Sequence, residues 1–269
     1  MANAAYTSGF NTDALFVAAK AATVYAAHEQ SLFLGGGMIP VVNAPNGLLQ
    51  VPELAAVAAT TLTAEAAPGV DLDAVLPGDT KNTIQCDIYA ARSVLRDLGA
   101  IDPAEIGRVL GNAVSKAFDT AVVTAMNGLT ASTSDGDPVT VDSLFDAAAQ
   151  IRGAGETGQL MGIVSAAEAA NLMKDIGTNA YGGGDFQSEA MRNGFLGQIA
   201  GIRMFQSSYI TGANKGFVFA GDAMRIAMQK NVDIETARRP EAVGQDIVAS
   251  LHAGVGVIDA GRGVKLVNV

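Results

Sequence analysis

The segment "DPAEIGRVLGNAVSKAFDTAVVTAMNG", Asp102 to Gly128, constrains this chain more than any other. Asp102 is placed to cap a helix, Pro103 fits its first position, and Glu105 stands at the third to complete a variant of the capping box. Gly128 marks the stop. Between these ends Ile106, Val109, Leu110, Ala113, Val114, Ala117, Phe118, Ala121, Val122 and Ala125 recur at steps of three and four, which predicts one apolar stripe. At about 1.5 Å per residue, a helix over 102–127 would run about 37 Å, long enough to be the spine of a domain. The remaining elements must pack along that stripe.

Residues 11–34 read as an Ala-rich helix, with Leu15, Ala18, Ala19, Ala22 and Tyr25 close to helical spacing, ended by the glycines at 35–37. From Met38 to Tyr89 the chain turns to Val, Thr, Pro, Gly and Asp, with turn signals at "APNG", "APG" and "LPGD". This is a long, loop-rich β excursion. Its return limb puts Ile84, Cys86 and Ile88 on one face and Gln85, Asp87 and Tyr89 on the other, the alternation of a half-buried strand. A two-stranded arm is marginally stable alone in water, so it has to lie on its own domain or on a neighbouring chain.

After the spine, "VTVDSLFDAAAQIRGAG" predicts a second helix and "QLMGIVS" a buried strand. "AAEAANLMKDIG" predicts a third helix, capped by Ser165 with Glu168 at its third position. The loop "TNAYGGGDFQSEAMRNG" follows. Then "QIAGIRMFQSS" and "KGFVFAGDAMRIAMQKNVDIETAR" predict strands joined by tight turns, and the Gly-punctuated tail predicts strands that bend. The mixture is α+β.

A chain of 269 residues accommodates one large domain or two ordinary ones. Its net charge of -10, with 17 scattered Lys and Arg, argues against a surface built to neutralise phosphates. Cys86 has no partner for an internal disulfide, and no run near 20 apolar residues predicts a membrane span. The N-terminus lacks the basic start and apolar core of a secretory signal, which places the protein in a reducing cytoplasm.

Side-chain chemistry is sparse. His28 and His252 are too far apart in sequence for a paired metal motif, and one cysteine cannot build a zinc site of Cys type. No G-x-S-x-G elbow supports a hydrolase nucleophile. The glycine runs at 35–37 and 182–184 miss both nucleotide-binding patterns and read as turns. Asp71, Asp73 and Asp79 lack the spacing and closing Glu of a calcium loop and read as a solvated acidic loop. Cys86, on the apolar face of its strand, reads as a small hydrophobe. Arg238 and Arg239 before Pro240 are suited to acidic groups on another chain, although an exposed basic pair is ordinarily solvated. No residue points to a cofactor or to catalysis. Function must therefore lie in the layout.

That layout resembles the major capsid proteins of tailed phages with the HK97 fold, over essentially the whole chain. The segments that carry the likeness are "LMGIVSAAEAANLMKDIG", "NAYGGGDFQSEAMRNGFLGQIAGIRMFQSSYI" and "RRPEAVGQDIVASLHAGVGVIDAGRGVKLV". The resemblance implies an N-terminal arm over 1–34 and an extended E-loop with flanking strands over 35–90. It implies a peripheral (P) domain over 91–154 that includes the spine helix, an axial (A) domain over 155–235, and C-terminal strands over 236–269 returning to the P domain.

By the same resemblance, the protein is a non-enzymatic shell subunit, without cofactor or metal, that assembles through hexamers and pentamers into an icosahedral head enclosing double-stranded DNA. It would be built in the host bacterial cytoplasm and end in the virion. Its other partners would be a portal protein and a decoration protein. The 34 residues before the excursion are too few for a built-in scaffolding domain, which implies a separate scaffolding protein or a cleaved segment. Intersubunit contact is expected at Asn46, Gly47, Asp79, Lys81, Arg238 and Arg239, and at Tyr181, Gly182, Gly183 and Gly184 near the centre of the ring. Gly194, Gly197 and Gly201 are expected to let the chain leave that axial loop, turn sharply and pack closely. Cross-linking members carry a lysine at the E-loop tip, whereas the only lysine of this excursion is Lys81, on the return limb. Two alternatives stand beside this reading, an encapsulin-type nanocompartment shell and a soluble α/β enzyme with a nucleotide near Tyr181–Asp185.

Overall fold

The computed structural model describes residues 12–34, 37–54, 79–96, 103–129, 131–134, 138–178, 195–211 and 214–267. The spine is helix α2, Pro103–Met126, with Pro103 in its first position and Glu105 in its first turn. Asp102 lies outside the described residues.

The buried face of α2 is not the whole expected stripe. Ile106, Leu110, Val114, Phe118, Val122 and Met126 are buried, but Val109 is 59% exposed and Ala113 and Ala117 face outward. Gly107, Gly111, Ser115 and Asp119 point inward instead. The reason is the neighbour. Helix α1, Thr12–Gln30, lies so close that a Cβ on Gly107 would sit 2.5 Å from the Ala19 carbonyl oxygen, and one on Gly111 2.5 Å from that of Thr23. Such an approach requires small residues on both sides, and α1 presents Ala19, Thr23, Ala26 and Ala27 as buried positions. Tyr25, expected on this stripe, is 67% exposed, because a ring cannot fit the seam. Thr23 Oγ1, 2.8 Å from the Ala19 carbonyl and 2.9 Å from that of Gly107, ties the two helices. The first helix also ends at Gln30 instead of running to Leu34; residues 32–34 form a turn.

A four-stranded sheet in the order β1-β10-β11-β4 lies under α2. Its strands are β1 (Val41–Asn43), β4 (Asp87–Arg96), β10 (Met224–Arg239) and β11 (Gly244–Val257). β1 runs parallel to β10 and the other pairs are antiparallel. Tyr89 of β4 meets Phe118 of α2 edge to face, with ring centroids 5.6 Å apart, a favoured aromatic geometry.

The second sheet has six strands in the order β5-β12-β9-β6-β8-β7. These are β5 (Ala131–Ser134), β6 (Leu160–Ser165), β7 (Phe195–Ile199), β8 (Ile202–Ser207), β9 (Asn214–Ala220) and β12 (Gly263–Val267). Helices α3 (Val141–Gly153) and α4 (Ala166–Thr178) cover it, burying Leu144, Ile151 and Leu172 against Leu160, Val164 and Val218. Ser165 caps α4 as expected, accepting from Glu168 N at 3.3 Å. The Glu168 side chain does not complete a box. Its carboxylate accepts from Val139 N at 2.9 Å, bracing the entry to α3.

Two features differ from the sequence reading. The expected boundary at 235 falls within β10, a single 16-residue strand, and the final strand β12 pairs with β9 and β5 in the second sheet instead of joining the sheet under α2. The reason is the turn at Ala260–Arg262, which lets the chain cross from one sheet to the other. Alternation through Ile84, Cys86 and Ile88 also breaks at Cys86. Ile84 is buried while Ile88 is 66% exposed and Tyr89 points inward, because the chain changes sheets at that residue.

Candidate intersubunit surfaces

The arm is a sheet of its own. Strands β2 (Leu48–Leu54) and β3 (Asp79–Gln85) pair antiparallel from Leu48 opposite Gln85 to Leu54 opposite Asp79. Its base is held tightly. Cys86 N donates to the Gly47 carbonyl at 2.9 Å, and Asn82 Nδ2 to that of Ile258 at 2.8 Å. The arm crosses β11 at Gly254, where a Cβ would lie 2.1 Å from the Gln85 carbonyl oxygen. Ile84 packs with Ala44 and Ala227, and Cys86 lies against them, half-buried. Burial and the neighbouring Asp87 push the Cys86 thiol above its ordinary value, which disfavours the thiolate.

The sequence-chosen contact residues divide along the molecule. Asn46 and Gly47 form the turn into the arm. Gly47 N donates to the Ala44 carbonyl at 2.9 Å, Gly47 has φ +72°, and Asn46 is exposed. Asp79 opens β3, and Lys81, exposed, stands opposite Pro52. Arg238 and Arg239 end β10, where the chain turns through Pro240–Ala242 to Val243, which is 63% exposed. Arg239, half-buried, lies 3.9 Å from the exposed Glu241. The arm and this hairpin end thus hold two separate groups of these residues. Tyr181, Gly182, Gly183, Gly184 and Gly194 lie outside the described residues.

Gly201 and Gly197 serve turns. Ile199 pairs with Ile202, leaving Ala200 at φ +53° and Gly201 at φ +78° as a two-residue hairpin turn of the primed kind. Gly197, at φ +87°, sits where the register of β7 against β8 slips by a residue. The expected close packing is absent at Gly201, since nothing lies within 4 Å of an added Cβ.

Sequence reasoning missed the buried acids. Asp119, fully buried, accepts the Ser31 hydroxyl at 2.6 Å and the Leu32 N–H at 3.0 Å. Burial pushes its carboxyl up to about 6, against these hydrogen bonds, which favour the charged form. An acid following Ser115 by four residues inside an apolar stripe was the available signal. On the outer sheet face, Arg92 forks onto Asp246, with Nε to Oδ1 at 2.7 Å, and holds that carboxyl below the ordinary range. Lys20, 2.7 Å away, does the same for Asp233.

Among the described residues no group of three or more His, Cys, Asp or Glu could hold a metal ion, and no helix is long and apolar enough to cross a membrane.

The comparisons agree with this layout. A family model for phage capsid proteins matches residues 93–266. No curated protein matches by sequence. Among solved structures, the capsid of the cyanophage P-SCSP1u superposes with a TM-score of 0.71 at 15% identity, over 86% of each chain. The capsid of the native GTA particle gives 0.69 at 14% identity, over 91% of this chain and 90% of that one. The virus-like particle from Pyrococcus furiosus gives 0.67 at 13% identity, over 93% and 98%. At such identities the likeness is one of fold, and the family model supplies the kinship. With a spine helix over one sheet, a second α/β layer and a projecting two-stranded arm, this chain has the HK97-like fold and belongs to the phage capsid protein family.

Proposed function

We propose that this shell-forming capsid subunit assembles through hexamers and pentamers into an icosahedral head around double-stranded DNA. The observation that carries the reading is the β2–β3 arm, fixed at its base and two-stranded among the described residues. Such a ribbon gains little from its own pairing, so a neighbouring subunit is its natural bed. A heterologous contact of this sort, repeated around an axis, closes into rings. Arg238 and Arg239 would meet acidic groups of an adjacent copy, Asn46, Gly47, Asp79 and Lys81 would lie along the arm contact, and Tyr181–Gly184 would face the ring centre. The acidic net charge of -10 suits a wall that surrounds DNA without gripping it. A separate scaffolding protein, a portal and a decoration protein complete the proposed assembly, which takes place in the host cytoplasm.

The test is negative-stain electron microscopy of the purified chain, alone and with candidate scaffolding partners, beside a variant in which residues 55–75 are replaced by a short linker. Uniform closed shells from the parent and soluble, folded, unassembled variant are expected. Normal shells from the variant would remove the arm from the intersubunit contact. A second reading, an encapsulin-type nanocompartment, draws on the likeness to the Pyrococcus furiosus virus-like particle over 98% of that chain. The contents of natively produced particles separate the two, protein cargo for the compartment and DNA for the head.

A further inference from the structure

The turn that follows α1 is wrapped around a single buried carboxylate. Asp119, on α2, accepts from the Ser31 hydroxyl and the Leu32 N–H, while Ser31 Oγ itself accepts from Phe33 N at 3.3 Å and Leu34 N at 3.0 Å. A cavity of about 220 Å³ opens beside it, lined by Ser31, Leu32 and Asp119 and by Gln206, Ser207, Ser208 and Tyr209. The last four are neutral at ordinary pH, and Tyr209, the titratable one among them, is itself pushed up by burial and by the Asp119 charge. No cation contributes to the environment of the carboxylate among the described residues. His28 and Lys20, the nearby basic groups of α1, line a different groove with Tyr25.

We propose that Asp119 and the Ser31–Leu34 turn form a proton-operated latch, which fastens α1 to α2 more firmly in mild acid than at neutral pH. When the turn opens, the carboxyl meets water and returns towards its ordinary value of 3.8, whereas closed it titrates at about 6. The closed form therefore takes up a proton more readily than the open one. Closing is favoured as pH falls through about 6, and that advantage is lost as pH rises through it. Because the turn is the covalent path from α1 to β1 and the arm, the latch sets how firmly the N-terminal helix is held to the rest of the subunit.

Hydrogen exchange of the full chain, read by mass spectrometry on peptides covering residues 31–34 and corrected for intrinsic rates, tests this without requiring assembly. Protection is expected to rise about tenfold between roughly pH 7.5 and 5, the factor that linkage gives for these two values. Asp119→Asn should abolish the step. Ser31→Ala, which removes a bond favouring the carboxylate, should move it to higher pH. A flat profile in the parent protein overturns the latch even if neither variant folds, and an unchanged step in Asp119→Asn assigns the titration to another group.

Discussion

A methyl group built on Gly111 would stand 2.5 Å from the backbone carbonyl oxygen of Thr23. Helix propensity alone favours Ala over Gly by about 1 kcal/mol, but here the clash is with backbone, which cannot rotate away. We expect Gly111→Ala to destabilise the protein by about 1–3 kcal/mol, the usual cost of overpacking. Thermal melts decide the sign, and a raised Tm would mean that α1 rides higher on α2 than described.

The same reasoning applies at the base of the arm. Gly254→Ala places a Cβ 2.1 Å from the Gln85 carbonyl, so β3 must lift off β11. Faster proteolysis within residues 79–86 is expected, with cleavage of α2 unchanged. Equal protection of both segments would show that the crossing tolerates a side chain.

At the β7–β8 turn the cost is purely conformational. Gly201→Val should destabilise by about 1–3 kcal/mol, because a β-branched residue resists positive φ. The space around an added Cβ is open. Gly201→Asn should therefore cost less, and Ala200→Asn, at φ +53°, should stabilise by some tenths of a kcal/mol, since Asn tolerates this region better than Ala. Denaturant midpoints test the order.

Glu168 binds Val139 N from a site only 4% exposed. Truncation to Ala leaves a buried N–H without its acceptor, at a cost of about 1–3 kcal/mol. Glu168→Gln keeps an oxygen that can accept and should recover part of the loss. If the two variants melt alike, the bond contributes nothing beyond packing.

Asp233 and Asp119 respond to acid in opposite senses. Lys20 holds Asp233 below its ordinary 3.8, so the stability from that pair is present above 3.8 and lost as pH falls through the lowered value. Lys20→Met should reduce stability at neutral pH and flatten the decline in strong acid, measured by urea midpoints against pH. An identical acid limb in the variant would mean that the pair is solvated.

Much of this was legible because it was local. Pro103, Glu105 and the run from Ile106 to Met126 specify a helix by their own spacing and capping, Ser165 starts another, and Ala200–Gly201 between alternating apolar runs specifies a tight turn. The ordered set of elements also carried the family resemblance. The contact residues came from the family resemblance, and those among the described residues fall into two groups, at the arm and at the end of β10.

Which face of each element is buried was decided only by the tertiary structure. Periodicity cannot tell Val109, which faces solvent, from Val114, which does not, since both are apolar at helical steps; the choice belongs to α1, whose close approach selects Gly107 and Gly111. Nor can it anticipate that Ile88 turns outward, because that follows from the change of sheet at Cys86, or that β12 leaves the sheet under α2 to pair with β9. The burial of Asp119 is set by the Ser31 turn, which closes over it from 88 residues away. Sequence by itself determined the elements, through short-range backbone and capping preferences, whereas the partners of each face and the cost of each buried charge arise from contacts between residues far apart in the chain.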